Sequence, residues 1–334
     1  MRHELPYAMF DRRRTLEEAR RFARMENIYH QGQKLMWNGR TLLDELWERH
    51  RGSGLAPELG PAFGRVVGTV MWGELAAWKV AAQLADALEP LEARLAATAQ
   101  AHDEARHFTV LHDYLERVTG GPPRRISRSA RRLIRAALAA DSAPKKLIGM
   151  QLQVEATALA MFQVLREVNL CPVLTDLLLS FERDEARHVG LGVQLLPVLM
   201  AGMSRWRRAE VTAYSFKVAA WSVAAVKAIE PDLRALGIDP RRLVELNVSK
   251  LALVFGELWQ VAPTSRTQTS RGAGRLFDAL AELLWPAGGA GQVSWPARLR
   301  GALHVLDEGY ATVATSIDPP DHPTAAGGGG GARR

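Results

Sequence analysis

An all-α fold is what this sequence predicts, and three observations predict it. Strand signals are scarce, alanine, leucine, arginine and glutamate dominate long stretches at helical period, and Pro61, Pro90, Pro144 and Pro172 stand where helices would begin. A proline in the first turn gives up an N–H that has no intrahelical partner there, so it marks a start without weakening the helix. Taken in order, helices are expected over 12–26, 30–50, 61–88, 90–118, 126–140, 144–168, 172–200, 203–229, 240–259, 272–286 and 296–315. The first forty or so residues read as helical decoration with no chemistry assigned to them. Gly120-Gly121-Pro122-Pro123 breaks the chain, and the arginine-rich helix that follows crosses over before the next long pair. The tail from Pro319 to Arg334, with its run of five glycines, buries too little to order itself. One domain over 1–318 is expected, with its core helices at about 61–200 and disorder in 319–334.

At 334 residues, 47% hydrophobic and 24% charged, the chain reads as a soluble globular protein able to bury a large core. Its one cysteine, Cys171, excludes an intrachain disulfide framework and any four-cysteine metal centre, so a metal would be held by nitrogen and oxygen. Met1 to Arg14 carries charges where a signal peptide needs an apolar run, and no stretch approaches a membrane span. A cytoplasmic protein with no membrane partner is the expectation.

Each pair of long helices carries the same pattern. The string Asp-Glu-Ala-Arg-His occurs at Asp103–His107 and again at Asp184–His188, and each copy has a lone glutamate thirty residues upstream of its own, Glu74 for Glu104 and Glu155 for Glu185. The midpoint between Glu74 and Glu104 falls just before Pro90, and that between Glu155 and Glu185 just before Pro172. If each pair folds as an antiparallel hairpin about its proline turn, every glutamate lies roughly 22 Å from the turn at 1.5 Å per residue, and partners meet at equal height.

Within each motif glutamate and histidine are at i and i+3, on one helix face. Four helices thus offer Glu74, Glu104 with His107, Glu155, and Glu185 with His188 to one interior, the ligand set of carboxylate-bridged di-iron and di-manganese bundles. Carboxylates with imidazoles suit iron or manganese, and the absence of thiolate argues against a soft-metal site. Asp103 and Asp184 are placed to accept the other N–H of the histidines, and Arg106 and Arg187, one turn on, to neutralise those aspartates. One Glu-x-x-His would be weak support, but six ionisable groups turned into an apolar bundle would be costly without a metal to neutralise them.

Asp-Glu-x-Arg-His, present here as Asp103–His107 and Asp184–His188, resembles the duplicated signature of the ferritin-like di-iron oxygenases, especially the hydroxylase subunits of bacterial multicomponent monooxygenases. Ribonucleotide reductase small subunits, acyl carrier protein desaturases and arylamine N-oxygenases are similar. The resemblance covers roughly residues 61–200 and implies a ferritin-like four-helix bundle core with additional N- and C-terminal helices. It further implies a centre of two iron ions, with a mixed iron–manganese pair as a variant. Glu74 and Glu155 would be terminal ligands and Glu104 and Glu185 bridging ones, His107 and His188 would each complete one metal, and Asp103 would bond His188 as Asp184 bonds His107.

The departures are informative. Leu111 stands where a radical-generating reductase subunit carries a tyrosine, with Tyr114 a poor substitute, and Phe181 where N-oxygenases carry a third histidine. Leu159 replaces the threonine of the classical monooxygenases, and one cysteine cannot furnish the second iron domain of a rubrerythrin. Ala77 and Met150 fall at about the positions where ligand-binding oxidases of the reductase-like type use a valine and a tyrosine for a cross-link. The chain is also much shorter than the monooxygenase subunits, which points to a smaller, distinct branch.

Helical phase places Ala77, Trp78, Phe108, Leu111, Gln151, Leu152, Leu159, Phe181 and Gly192 on or near the inner faces, so an apolar or acyl-type organic substrate is expected, although plain core packing is the simpler account of each residue. Glu182 reads as a surface residue, His102 and His112 have no counterparts in the second motif, and Trp72 and Trp78 read as packing residues. The function expected is O2-dependent oxidation of the hydroxylase or desaturase type, with electrons from a separate reductase or ferredoxin. The alternative is a ferroxidase or iron-handling protein.

Charge supplies the remaining expectation. Between Gly121 and Lys146, Arg124, Arg125, Arg128, Arg131, Arg132, Arg135, Lys145 and Lys146 stand against Asp141 alone, so this stretch carries the whole net charge of +7. It could attract an acidic redox partner, an acyl carrier protein or coenzyme A phosphates, although a solvated helix face is the plainer account. Few aromatics are interleaved, so nucleic acid is not expected, and a homodimer is compatible with the sequence.

Overall fold

A computed structural model describes residues 12–123, 125–261, 275, 278–286 and 293–308, and among these the chain is helical with no strand. Four long elements make the centre: α3 (Gly60–Ala87), α4 (Leu91–Thr119), α7 (Glu155–Val168) extended upstream by a π-helical segment (Leu147–Val154), and α8 (Pro172–Ala201). Around them lie α1 (Arg12–Lys34), α2 (Gly39–His50), α5 (Arg128–Leu138), α6 (Ala143–Lys146), α9 (Arg205–Ala228), α10 (Glu230–Ala235), α11 (Pro240–Val261), α12 (278–284) and α13 (Trp295–Glu308). α1 and α2 cover α4 and α8 from one side, while α9 packs on α5 and α11 on α7 and α8. No described helix is long and apolar enough to cross a membrane.

Both hairpin turns follow from local sequence. α3 runs out at Leu88 and Pro90 holds the extended conformation (φ −64°, ψ 127°) from which α4 starts. α4 stops at Gly120, whose φ of 73° lies in the left-handed region that glycine enters without steric cost, and the N–H groups of Gly120 and Gly121 close on the carbonyls of Glu116 and Leu115. α7 ends on Asn169, also left-handed (φ 49°), and Pro172 opens α8.

The bundle interior is layered. One apolar cluster holds Phe63, Val67 and Met71 of α3, Leu111, Tyr114 and Leu115 of α4, Phe162 of α7 and Leu177 and Phe181 of α8. The other holds Ala77, Val80 and Leu84 of α3, Ala93 and Ala97 of α4, Leu147, Met150 and Leu152 of the π segment and Leu191 and Leu195 of α8. In each of the four elements the candidate ligands fall between the two clusters, so a polar layer crosses the bundle at one height.

Two expectations are revised. The first break comes at residues 35–38 rather than near 27–29: Leu35 N–H closes on the Gln31 carbonyl, and the Asn38 side chain accepts the Thr41 N–H at 3.0 Å to cap α2. The stretch 144–168 is not one α-helix, because Leu147–Val154 is π-helical, which widens the turn just before Glu155. Close packing of α8 accompanies it. A Cβ on Gly192 would lie 2.8 Å from Leu152 Cδ2 and 3.1 Å from Gln151 Cβ, so only glycine lets the two backbones approach this far. The expected helix 272–286 is described over 278–284, and α10 is an addition. Residues 309–315 of the last expected helix, the tail Pro319–Arg334, Met1–Asp11 and Arg124 lie outside the described residues.

Candidate metal centre

The hairpins bring all six candidate ligands together. Glu74, Glu104, His107, Glu155, Glu185 and His188 are each at most 3% exposed. Ligand atoms of Glu74, Glu104, His107 and Glu185 lie within 4.8 Å of one another, and so do those of Glu104, Glu155, Glu185 and His188. Glu104 and Glu185, the motif glutamates, belong to both groups. Two ions placed in these groups would share two carboxylates.

The histidines are oriented from outside the layer. His107 Nε2 is 3.0 Å from Asp184 Oδ2 and His188 Nε2 is 3.3 Å from Asp103 Oδ2, each aspartate serving the histidine of the other hairpin. A carboxylate only accepts, so Nε2 carries the proton and Nδ1 faces the interior. There His107 Nδ1 sits 3.2 Å from Glu185 Oε1, and His188 Nδ1 is 2.9 Å from both Glu104 Oε1 and Glu185 Oε2.

Arg106 and Arg187 close the arrangement. The Nη2 of Arg106 donates to Asp103 (2.6 Å) and Asp184 (2.8 Å), and that of Arg187 to Asp103 (3.0 Å) and Asp184 (2.5 Å). The result is a four-membered ring of alternating charge that ties α4 to α8. Burial works against the charge on Asp184, yet its bond to His107, with Arg187 and Trp37 adding to it, holds the carboxyl well below the usual carboxylate range.

Whether the six residues fit metal is answered by their unmet valences and their charge. Glu104 Oε2, Glu185 Oε1 and His107 Nδ1 are buried and make no hydrogen bond, which is costly unless a cation sits among them. Burial, with the neighbouring carboxylates, pushes Glu74 and Glu155 well above the usual range. Burial opposes charge on the histidines too, but the surrounding carboxylates outweigh it and raise both well above an ordinary imidazole. Without metal the layer thus holds protons where cations would go, and four carboxylates with two imidazoles are the hard donor set of iron or manganese.

Around the layer stand Gln100 and Trp37, which the sequence reading passed over, and Gln151, which it placed on the inner face without a partner. Gln100 Nε2 donates to Glu104 Oε1 (3.2 Å) and Glu155 Oε1 (3.1 Å), and Gln151 Nε2 donates to Gln100 Oε1 (3.2 Å). A signal existed: each glutamine stands four residues, one turn, before a ligand glutamate. Trp37, between α1 and α2, donates its indole N–H to Asp184 Oδ2 at 2.9 Å and lies under the Arg106 guanidinium at 4.6 Å. The N-terminal region therefore does reach the site. Of the expected inner residues, Phe181 stacks on His107 with centroids 4.1 Å apart, and Leu111, Gln151, Leu152 and Gly192 are buried. Phe108 and Leu159 are half-buried, and Trp78 points outward, 37% exposed, against Phe108. Trp72 bonds the Pro123 carbonyl instead of approaching the ligands, and Glu182 pairs with Arg166.

A cavity of about 100 Å³ reaches the layer. Glu74 and Glu155 line it, with Thr69, Thr157, Ser222 and otherwise mainly apolar side chains from α3, α5, the π segment, α7 and α9, among them Ala77, Leu133, Met150 and Met161.

Bundle and layer together give a ferritin-like helical fold with a buried carboxylate–histidine cluster whose ligand atoms form two overlapping groups of four. Among solved structures the chain is similar to R2-like ligand-binding oxidases. Two variants of such an oxidase with an aerobically reconstituted Mn/Fe cofactor align at TM-score 0.53, with 19% and 18% identity, covering 70% of this chain and 93% and 92% of theirs. A third variant with the same cofactor aligns at 0.51 and 18% identity, covering 70% of this chain and 92% of its own. At this identity the likeness is one of fold. No family model matches the sequence, and no curated protein matches it. Ala77 and Met150 both line the cavity beside Glu74 and keep an apolar wall there.

Proposed function

We propose that this protein is an O2-activating dimetal oxidoreductase that oxidises an apolar organic substrate with electrons from a separate reductase or ferredoxin. Glu74, Glu104, His107 and Glu185 would hold one ion and Glu104, Glu155, Glu185 and His188 the other, as iron–iron or manganese–iron, the latter being the pair carried by the oxidases of similar fold. The bound pair would supply oxygen binding and the electron chemistry.

The chain's own residues supply the rest. Asp103 and Asp184 fix the histidine tautomers, while Gln100 orients Glu104 and Glu155 by donating to both. The walls at Ala77, Met150 and Met161 exclude water from the faces of Glu74 and Glu155 and present an alkyl group to them. The observation that carries the reading is this cavity on the ligand layer. Its apolar walls suit an organic substrate and would penalise a hydrated ion in transit, which disfavours the iron-handling alternative.

The test is anaerobic loading with Fe(II), or with Mn(II) and Fe(II), followed by oxygen exposure. Two ions per chain and oxygen uptake that rises with an apolar substrate are expected. Fewer than one ion per chain, or two ions with iron oxidation that continues over many equivalents into a mineral, would sink the proposal.

A further inference from the structure

The basic stretch is divided by the structure into parts that do different things. Lys145 is paired with Asp141 and Glu210, Lys146 bonds the Gln83 side chain at 2.6 Å, and Arg132 lies 4.8 Å over the Trp221 ring. Arg125, Arg131 and Arg135 are different. With Lys79 of α3 they surround a surface pocket of about 320 Å³ whose floor is Trp72, Leu75, Ala76 and Ile134, and none of the four cations makes an ion pair with a described residue. Four unpaired cations around an aromatic and aliphatic floor form a site for an anion that carries an apolar body.

What lies beneath that floor gives the pocket its use. Ala76 and Ile134 line both this pocket and the apolar cavity that ends on Glu74 and Glu155. The small Ala76 side chain and the half-buried Ile134 thus face both spaces. Along α3, Lys79 is five residues from Glu74, roughly 7.5 Å of rise, so a cationic rim and a ligand carboxylate are separated by little more than one helical turn.

We infer that the substrate is an anionic amphiphile, bound with its phosphate or carboxylate head in the Lys79–Arg125–Arg131–Arg135 pocket and its apolar chain passing Ile134 into the cavity over Glu74 and Glu155. This rests on the oxidoreductase reading for what happens at the inner end, but head and chain binding depend only on the lining of the two spaces. Anchoring the charged head outside would fix how far the chain extends inward, so that oxidation falls on a carbon set by distance from the head.

Binding of small probes to the full-length protein tests this, with metal content and oxygen uptake measured on the same preparations. Octyl phosphate, octanoate, 1-octanol, octylamine and inorganic phosphate are titrated by calorimetry. Octyl phosphate and octanoate are expected to bind at least tenfold more tightly than 1-octanol or inorganic phosphate, with the tighter of the two naming the head group. The double substitution R131Q/R135Q should weaken both anions by tenfold or more and leave 1-octanol unchanged, and I134W should weaken every octyl compound. Equal affinity for 1-octanol and the anions, preference for octylamine, inorganic phosphate binding as tightly as octyl phosphate, or anion binding indifferent to R131Q/R135Q would overturn the inference. Selective anion binding by a protein that takes up no metal would instead overturn the oxidoreductase reading and leave the pocket standing.

Discussion

Asp184→Asn is the most telling single change, because one carboxylate here accepts four hydrogen bonds. It takes Trp37 Nε1 at 2.9 Å, His107 Nε2 at 3.0 Å, Arg106 at 2.8 Å and Arg187 at 2.5 Å, and it is 1% exposed. The amide keeps the shape but removes the charge and turns one acceptor into a donor facing a guanidinium. Leaving a buried ionic partner uncompensated costs about 3–5 kcal/mol. Loss of the partner that orients a metal-binding histidine lowers metal affinity by about 10–100-fold, which is about 1.4–2.8 kcal/mol. Folding should therefore suffer more than metal binding. Denaturant unfolding of the metal-free protein and competition with a chelator measure the two effects separately. The sister change Asp103→Asn should cost less in both, since Asp103 lacks an indole donor and its histidine contact is longer, 3.3 Å. Lowered stability with wild-type metal affinity would refute the orienting role of Asp184. Wild-type stability would refute the charge ring as a structural element.

Removal of either shared carboxylate, Glu104→Ala or Glu185→Ala, should lose at least one of two metals by elemental analysis, whereas Leu111→Ala should keep both while costing about 2–5 kcal/mol of stability. Full metal content in both glutamate variants would overturn the ligand assignment. Metal affinity should rise with pH: Glu74, Glu155, His107 and His188 all have raised folded-state values, so each gives up proton occupancy when a cation binds. Calorimetry in buffers of different ionisation enthalpy should show net proton release, and its absence would refute a protonated layer. In the metal-free protein the stabilisation contributed by the two histidines should be fully present below the ordinary value of 6.5 and be lost as pH rises through their raised folded values. Gly192→Ala should destabilise by about 1–3 kcal/mol by driving α8 off the π segment, and an unchanged unfolding midpoint would show that Leu152 gives way freely.

How much could be read in advance depended on whether the information was local or relational. The ligands were legible because an i, i+3 spacing and two arms of equal length about a proline are statements about one helix and one turn. Gln100 and Gln151 obeyed the same one-turn rule, but a glutamine on a helix face has no chemistry of its own until a carboxylate from another element meets it. Trp37 was harder still, since its partner is 147 residues away and the link comes from the packing of α1 and α2 on the bundle. The π segment left no mark because Leu147–Val154 has apolar residues that suit an ordinary buried helix equally well. Trp78 shows the opposite error: its phase, one turn beyond Glu74, reads as inward, but its ring lies 37% exposed at the rim beside Phe108.

The duplication that makes the ligand pattern conspicuous does not extend to what surrounds it. One half of the layer rests on Phe181 and the indole-bonded Asp184, while the other has Gln100 holding Glu155. Twin ligand sets in unlike settings are not equivalent vessels. Their affinities should separate, so that the ions enter in sequence, and the first occupant, by claiming Glu104 and Glu185, sets the terms on which the second is chosen.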